Sequence, residues 1–242
     1  MCHLAGLTKV RESRSNPVDY WRTNVGGTLT ILDRLTGARA GRIVVASTCA
    51  VHGEQAKQPI SETAPVSPSS PYATSALAVE QAAADLAATE ATGDISLRAV
   101  TVAAALPGHP DRDTTRLIPQ LLAVHQGRAP ELVVNGDGTA ARDFVHVADM
   151  ATAFVLTLHA CQPGTWRAYN VGSGRPSTVH DVIAAVETVT GRPIPRRHTV
   201  AAHEPATLLA DSTRIQSELG WRPHKSSLAE IVSDAWTALN SD

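Results

Sequence analysis

Tyr72 opens a helical stretch, PYATSA at residues 71 to 76, and a tyrosine so placed is a candidate acid/base group. A phenol titrates near about 10 and is only ~0.1% ionised at pH 7, so it takes a proton only with a positive charge beside it. The residue one helical turn on is Ala76, which supplies none. Arg98 and Lys57 are the nearest other cations along the chain; Arg98 falls on a strand leading away and Lys57 in a loop, so neither is expected to substitute. Thr48, at the end of a β-branched run, offers a hydroxyl either to a ligand or to a strand-end backbone group.

Arg142 beside Asp143 reads with equal weight as a guanidinium for a ribose or phosphate oxygen and as an ion pair at a turn. His146 and Asp149 are expected to be structural, capping the helix that follows, and His52 to be a packing or loop residue. The chain has ten histidines, but none has metal-ligand spacing to a cysteine or carboxylate cluster, and no G-x-S-x-G elbow is present. Trp21 and Trp221 read as core or interface residues.

The elements that must position these groups follow from periodicity. Val18, Trp21, Val25, Leu29 and Leu32 recur every three to four residues, predicting a helix over about 17–36. GRIVVAST (41–48) is a short apolar run suited to a buried parallel strand. A polar loop with Pro59, Pro65 and Pro68 leads to a second helix over about 71–92, with Pro71 in its first turn. DISLRAVTVAAALPG supplies a further strand and turn, so strands and helices alternate at crossover spacing, the pattern of a parallel sheet with helices on its faces. Beyond Pro107 the elements shorten: a helix over about 115–126, the strand ELVVNGDG, a helix through DMATAFVLTLHA, then two amphipathic helices with Ser177 and Ser226 as expected N-caps.

Composition excludes several classes. The chain of 242 residues is 43% hydrophobic, enough for a substantial core, and 21 basic against 23 acidic residues leave a net charge of −2. No global field draws it to nucleic acid or an anionic membrane. Cys2, Cys49 and Cys161 are few and far apart, which argues against a disulfide framework. No apolar run reaches membrane-span length and MCHLAGLTKV does not read as a secretory signal, so a cytoplasmic protein is expected.

HLAG (3–6), N-x-x-G-T (24–28), S-T-C-A-V-H-G (47–53), S-P-Y-x-x-S (70–75), G-T-x-x-R-D-F-V-H-V-x-D (138–149) and Y-N-V-G-S-G (169–174) stand in one order along the chain. Together they resemble the NAD-dependent epimerase/dehydratase family, the extended short-chain dehydrogenases, and within it the sugar-nucleotide 4-epimerases. The resemblance implies an α/β fold, here a partial Rossmann-like doubly wound parallel sheet lacking its first βαβ portion, with a smaller C-terminal α/β substrate-binding region. Residues 1–106, continued by 143–172, would form the nucleotide-binding part, and 107–142 with 173–242 the substrate-binding part.

The same resemblance makes Tyr72 the acid/base, Thr48 its hydroxyl partner and Ala76 the position of the usual lysine. It assigns Ala5, Gly6, Asn24, Ser47 and Tyr72 to the cofactor and Thr101, Arg116 and Arg142 to a nucleotide-sugar. NAD is the implied cofactor. The family's glycine-rich turn is not found in this stretch, and Gly172-Ser173-Gly174 does not follow a first strand, so weak or no NAD binding is expected of the chain as given. MCHLAG is then expected to be an apolar sheet edge open to pairing. A second phosphate arginine, expected near Ala201 before Glu204-Pro205, is absent. C-A-V-H-G after Thr48 lacks the Asp-Glu pair of a dehydratase, which favours an epimerase. The helices over 17–36 and 71–92 would pair two copies as a homodimer. The competing expectations are a non-catalytic nucleotide-sugar-binding or scaffold protein, and a cofactor-independent lyase or isomerase using Tyr72, Thr48 and His52.

Overall fold

The β-branched run GRIVVAST forms strand β2 (Gly41–Thr48) in the computed structural model, which describes residues 1–38, 41–89, 92–200 and 206–241. It pairs in parallel with β1 (Cys2–His3) on one side and β3 (Thr92–Ala99) on the other, and β3 pairs in parallel with β7 (Trp166–Val171). The order is β1-β2-β3-β7, and every residue of β3 is buried, as for a strand covered on both faces.

The helix expected over 17–36 is present but not uniform. It runs as α2 (Pro17–Tyr20), a π-helical stretch (Trp21–Gly26) and α3 (Gly27–Ala38), preceded by α1 (Val10–Ser15), which the sequence pattern did not suggest. The π-helical stretch surrounds Asn24, whose side chain bonds outside the helix, and such bulges inside α-helices are frequent at functional sites. The second long helix is α4 (Pro71–Ala88), with Pro71 at its first position and the Ser70 hydroxyl accepting the Ala73 N–H at 3.3 Å. Leu32, Ile43, Val45 and Val79 form a buried cluster joining α3, β2 and α4.

Residues fall into two compact units: Met1–Val100 with Ala151–Val171 and Ala210–Trp221, and Thr101–Met150 with Gly172–Leu209 and Arg222–Asp242. The division expected from sequence placed 101–106 and 143–150 with the first part. In the structure they lie in the second, because β4 (Thr101–Ala103) pairs with β6 (Ala141–His146). There β6 also pairs in parallel with β10 (Thr207–Leu208) and antiparallel with β8 (Pro176–Thr178), and β5 (Leu132–Asn135) pairs with β9 (Arg196–Thr199). The core of this unit gathers Leu121 and Leu122 of α5 (Leu117–His125), Val182 and Val186 of α7 (Val179–Thr190) and Ile231 and Val232 of α9 (Leu228–Leu239). Helix α6 (Val147–Ala160) begins in the second unit and continues in the first, which also holds α8 (Thr213–Leu219).

Both expected N-caps move by one residue. Thr178 caps α7, forming a reciprocal box with Asp181, while Ser177 pairs within the sheet; Ser227 caps α9 while the Ser226 hydroxyl bonds to Asp149. The expectations near Ala201 and Glu204-Pro205 lie outside the described residues. Among the described residues no helix is long and apolar enough to cross a membrane, and no group of three or more metal-binding side chains is clustered.

One buried group in β3 is poorly satisfied. Asp94 is fully buried; Ser96 Oγ donates to its Oδ1 at 3.3 Å, and its Oδ2 has no hydrogen-bond partner among the described residues. Burial pushes its carboxyl up from the ordinary 3.8 to about 7, against the Ser96 hydrogen bond. The native state therefore holds this proton where the unfolded chain has released it, so the contribution is full below 3.8 and is lost as pH rises through about 7. Asp94→Asn is expected to be more stable than the parent at pH 8 by roughly 1–3 kcal/mol, with the difference shrinking towards pH 5 in urea unfolding. A constant difference across that range would refute the assignment.

Candidate active site

Strand β2 ends at Thr48, whose Oγ accepts the Ala50 N–H at 3.2 Å and so starts the 3-10 turn Cys49–His52. Helix α4 opens beside it, bringing the Tyr72 phenol near enough to the Thr48 hydroxyl for that hydroxyl to favour the phenolate. The structure thus brings together the two hydroxyls from separate elements. The ring of Tyr20 packs edge-on against Tyr72, with centroids 6.3 Å apart at 76°. Tyr20 is itself fixed, its hydroxyl donating to Lys9 O at 2.8 Å and accepting the Lys9 N–H at 3.0 Å.

Burial raises the Tyr72 phenol above its ordinary 10.0; the neighbouring Thr48 hydroxyl pulls it down, while Tyr20 and Cys49 push it further up. No cation figures among these influences. Tyr72, Ala76 and Glu80 follow at i, i+4 and i+8 and share a helix face, on which Ala76 is buried with only 8% exposure. The side chain one turn on from the phenol is thus a buried methyl.

The cation closest in kind is turned to another task. Arg98 does not lead away from the site: its side chain reaches α4 and pairs with Glu80, Nη2 to Oε2 at 2.6 Å and Nε to Oε1 at 3.0 Å, with both groups buried. Ser47 Oγ donates to the same Glu80 carboxylate through a very short contact with Oε1. The remaining guanidinium nitrogen, Nη1, lies 3.2 Å from His52 Nε2, and Cys49 Sγ donates to the Arg98 carbonyl at 3.0 Å. Sequence reasoning passed over Glu80. Its signal was an acidic residue on the apolar face of an alanine-rich helix, matched by an arginine inside an apolar strand.

The residues assigned to the cofactor divide. Ala5 and Gly6 are exposed. The amide of Asn24 is engaged internally: Oδ1 accepts the Leu7 N–H at 2.8 Å, and Nδ2 donates to Leu7 O at 3.0 Å and to Ser75 Oγ at 3.1 Å. The Ser47 hydroxyl is engaged by Glu80. The side chains of Asn24 and Ser47 are thus tied into the fold.

The substrate-side candidates belong to the second unit. Thr101 starts β4 and stands opposite Phe144 in the register. Arg116, at the N-cap position of α5, is held by Asp111 at 2.9 Å and Asp113 at 3.7 Å. Arg142 Nη1 donates to Ala141 O at 2.9 Å. Asp143 turns to the glycine turn, accepting the N–H of Ser173 at 2.8 Å, its hydroxyl at 2.6 Å and the N–H of Gly174 at 3.0 Å. His146 Nδ1 accepts the Ala148 N–H at 2.9 Å, while Asp149 Oδ2 accepts Lys225 N–H at 2.8 Å and Ser226 O–H at 2.6 Å.

The ion pair under α4 makes a direct prediction. Glu80→Ala leaves Arg98 buried without its carboxylate and should cost about 3–5 kcal/mol in urea unfolding, whereas the double variant Glu80→Leu/Arg98→Met should recover much of that loss. Equal losses in the two variants would show that the pair does not act as a unit.

A family model described as NAD dependent epimerase/dehydratase family matches residues 1–172. A UDP-glucose 4-epimerase of Streptomyces lividans is 38% identical over 97% of this chain and 73% of its own length, and one from Corynebacterium glutamicum is 37% identical over 97% and 74%. Among solved structures, UDP-glucose 4-epimerase from Bifidobacterium longum in complex with NAD+ and UDP superposes with a TM-score of 0.92 at 27% identity, covering 100% of this chain and 76% of that one. The enzyme from Stenotrophomonas maltophila, with bound NAD and formylated UDP-arabinopyranose, gives 0.90 at 31% identity, covering 98% and 75%. These matches show that the chain belongs to the NAD-dependent epimerase/dehydratase family.

Proposed function

We propose that this chain is a UDP-sugar 4-epimerase relative that keeps the hydroxyl pair of the active site without the means to ionise it, so that, as given, it binds nucleotide-sugar but does not turn it over. The observation that carries this reading is Tyr72, its phenol raised by burial above the ordinary value with no cation among the groups acting on it, and buried Ala76 one turn on. A phenol held protonated donates a hydrogen bond to a sugar hydroxyl readily and accepts its proton poorly. In relatives whose structures hold NAD, that cofactor would supply hydride exchange at the sugar carbon; here the internal engagement of Asn24 and Ser47 supports weak binding of NAD.

The substrate class is supported by relatives named as UDP-glucose 4-epimerases and by Arg142, whose guanidinium suits phosphate and ribose oxygens, whereas Arg116 is already paired with Asp111 and Asp113. A cofactor-independent acid/base enzyme gains no support at His52, which is fully buried with both ring nitrogens engaged. Val18, Trp21 and Leu29 are exposed apolar residues of the 17–38 helical run, and they favour self-association of two copies along that face.

Two measurements test the reading. The purified chain is expected to bind UDP-glucose in calorimetric titration, to carry no stoichiometric nicotinamide by absorbance after denaturation, and to form no UDP-galactose from UDP-glucose; tightly bound NAD with turnover would overturn it. Ala76→Lys is expected to lower the Tyr72 phenol by about 1–2 pH units, since an adjacent cation favours the phenolate. Ultraviolet titration referenced to Tyr72→Phe measures this, and an unchanged midpoint in the folded variant would show that position 76 does not face the phenol.

A further inference from the structure

His52 is fully buried at the end of the turn that begins at Thr48, and neither its burial nor its partners serve the hydroxyl chemistry directly. Its ring is fixed by the nature of those partners. Nδ1 lies 3.2 Å from Pro65 O, which only accepts, so Nδ1 carries the proton. Nε2 lies 3.2 Å from Arg98 Nη1, which only donates, so Nε2 is the bare acceptor. The geometry admits one form, the neutral Nδ1–H tautomer.

That imidazole closes a chain of contacts across the site. From the loop it passes through His52 to Arg98 on β3, to Glu80 on α4, and to Ser47, the neighbour of Thr48 on β2. The loop returns tightly onto the same turn. Gly53 sits at φ +65°, a Cβ there would meet Ser67 O at 2.1 Å, and Ser67 N donates to Val51 O at 3.0 Å. Gln55 Nε2 also bonds the His52 carbonyl at 2.6 Å.

We propose that His52 is a positioning residue of the Thr48–Tyr72 pair: neutral, it holds the turn after Thr48 against Arg98, and on protonation that contact opens and Thr48 shifts relative to Tyr72. A second proton would place an N–H and a charge 3.2 Å from a guanidinium in a dry interior. The groups facing the ring are Arg98 from β3, Glu80 from α4 and the Pro65 and Ala64 carbonyls from the loop. Glu80 and the carbonyls favour the imidazolium, but the Glu80 carboxylate is already shared by Arg98 and Ser47. Burial first and Arg98 second hold the imidazole below its ordinary 6.5, so the unfolded chain takes the proton first. Stability from this contact is therefore present above 6.5 and is lost as pH falls towards the lowered folded value.

This rests on the reading of Thr48 and Tyr72 as the family's hydroxyl pair, but none of its readouts uses NAD or turnover, so it and the proposed function fail separately. The experiment is nuclear magnetic resonance on the full chain carrying labelled histidine and tyrosine, with Tyr72→Phe assigning the Tyr72 ring signal. At pH 7.5 the His52 ring should show a protonated Nδ1 and a bare Nε2. On acidification, His52 should titrate below 6.5 and the Tyr72 signal should move with the same midpoint. In His52→Gln, which keeps a neutral polar group, the Tyr72 movement should vanish over that range. A protonated Nε2 at pH 7.5, a Tyr72 signal that stays flat through the His52 titration, or the same movement in the variant would each overturn the proposal. The wild-type titration decides the matter alone if the variant does not fold.

Discussion

The buried pairing of Arg98 with Glu80 is the constraint on which the first unit depends. It places a charge inside a strand covered on both faces, where an unpaired ion would cost several kcal/mol. The pair satisfies its remaining atoms with Ser47 and His52, so β2, β3, α4 and the turn after Thr48 are tied at one point. Those elements carry the two hydroxyls. The register of β2 on β3 sets Ser47 opposite Arg98 and Thr48 opposite Ala99, so the hydroxyl pair is placed by the same ladder that places the ion pair.

The electrostatics of the site follow from where that arginine is directed. Its charge is neutralised by Glu80 and turned towards His52, so among the groups acting on Tyr72 the neighbouring Thr48 hydroxyl alone opposes the effect of burial. A guanidinium close in the sequence map thus does no work on the phenol, because a low-dielectric interior couples it to the carboxylate it touches. The position that could act, 76, presents a methyl.

Much of the fold was legible in the sequence because the apolar periodicity was strong. GRIVVAST, the helix from Pro71 and the helical run from Pro17 are where their patterns put them. What was not legible depended on partners far along the chain. The π-helical stretch reflects Asn24 reaching Leu7 and Ser75, and the shifted caps reflect Ser226 being drawn to Asp149. Arg98 was misjudged for the same reason: strand alternation leaves its face undecided until the sheet has a neighbour on that side.

The sequence by itself determined the types and order of the chemical groups, the tyrosine on its helix, the threonine ending its strand and the alanine where a cation would be needed. Spacing along a helix or strand is a local property, so these survived unchanged into the structure. Only the tertiary structure decided which polar groups remain available. Hydrogen bonds in the interior are made between elements brought together by packing, and it is these that engage Asn24, Ser47, Arg98 and His52 and turn the buried cation away from Tyr72.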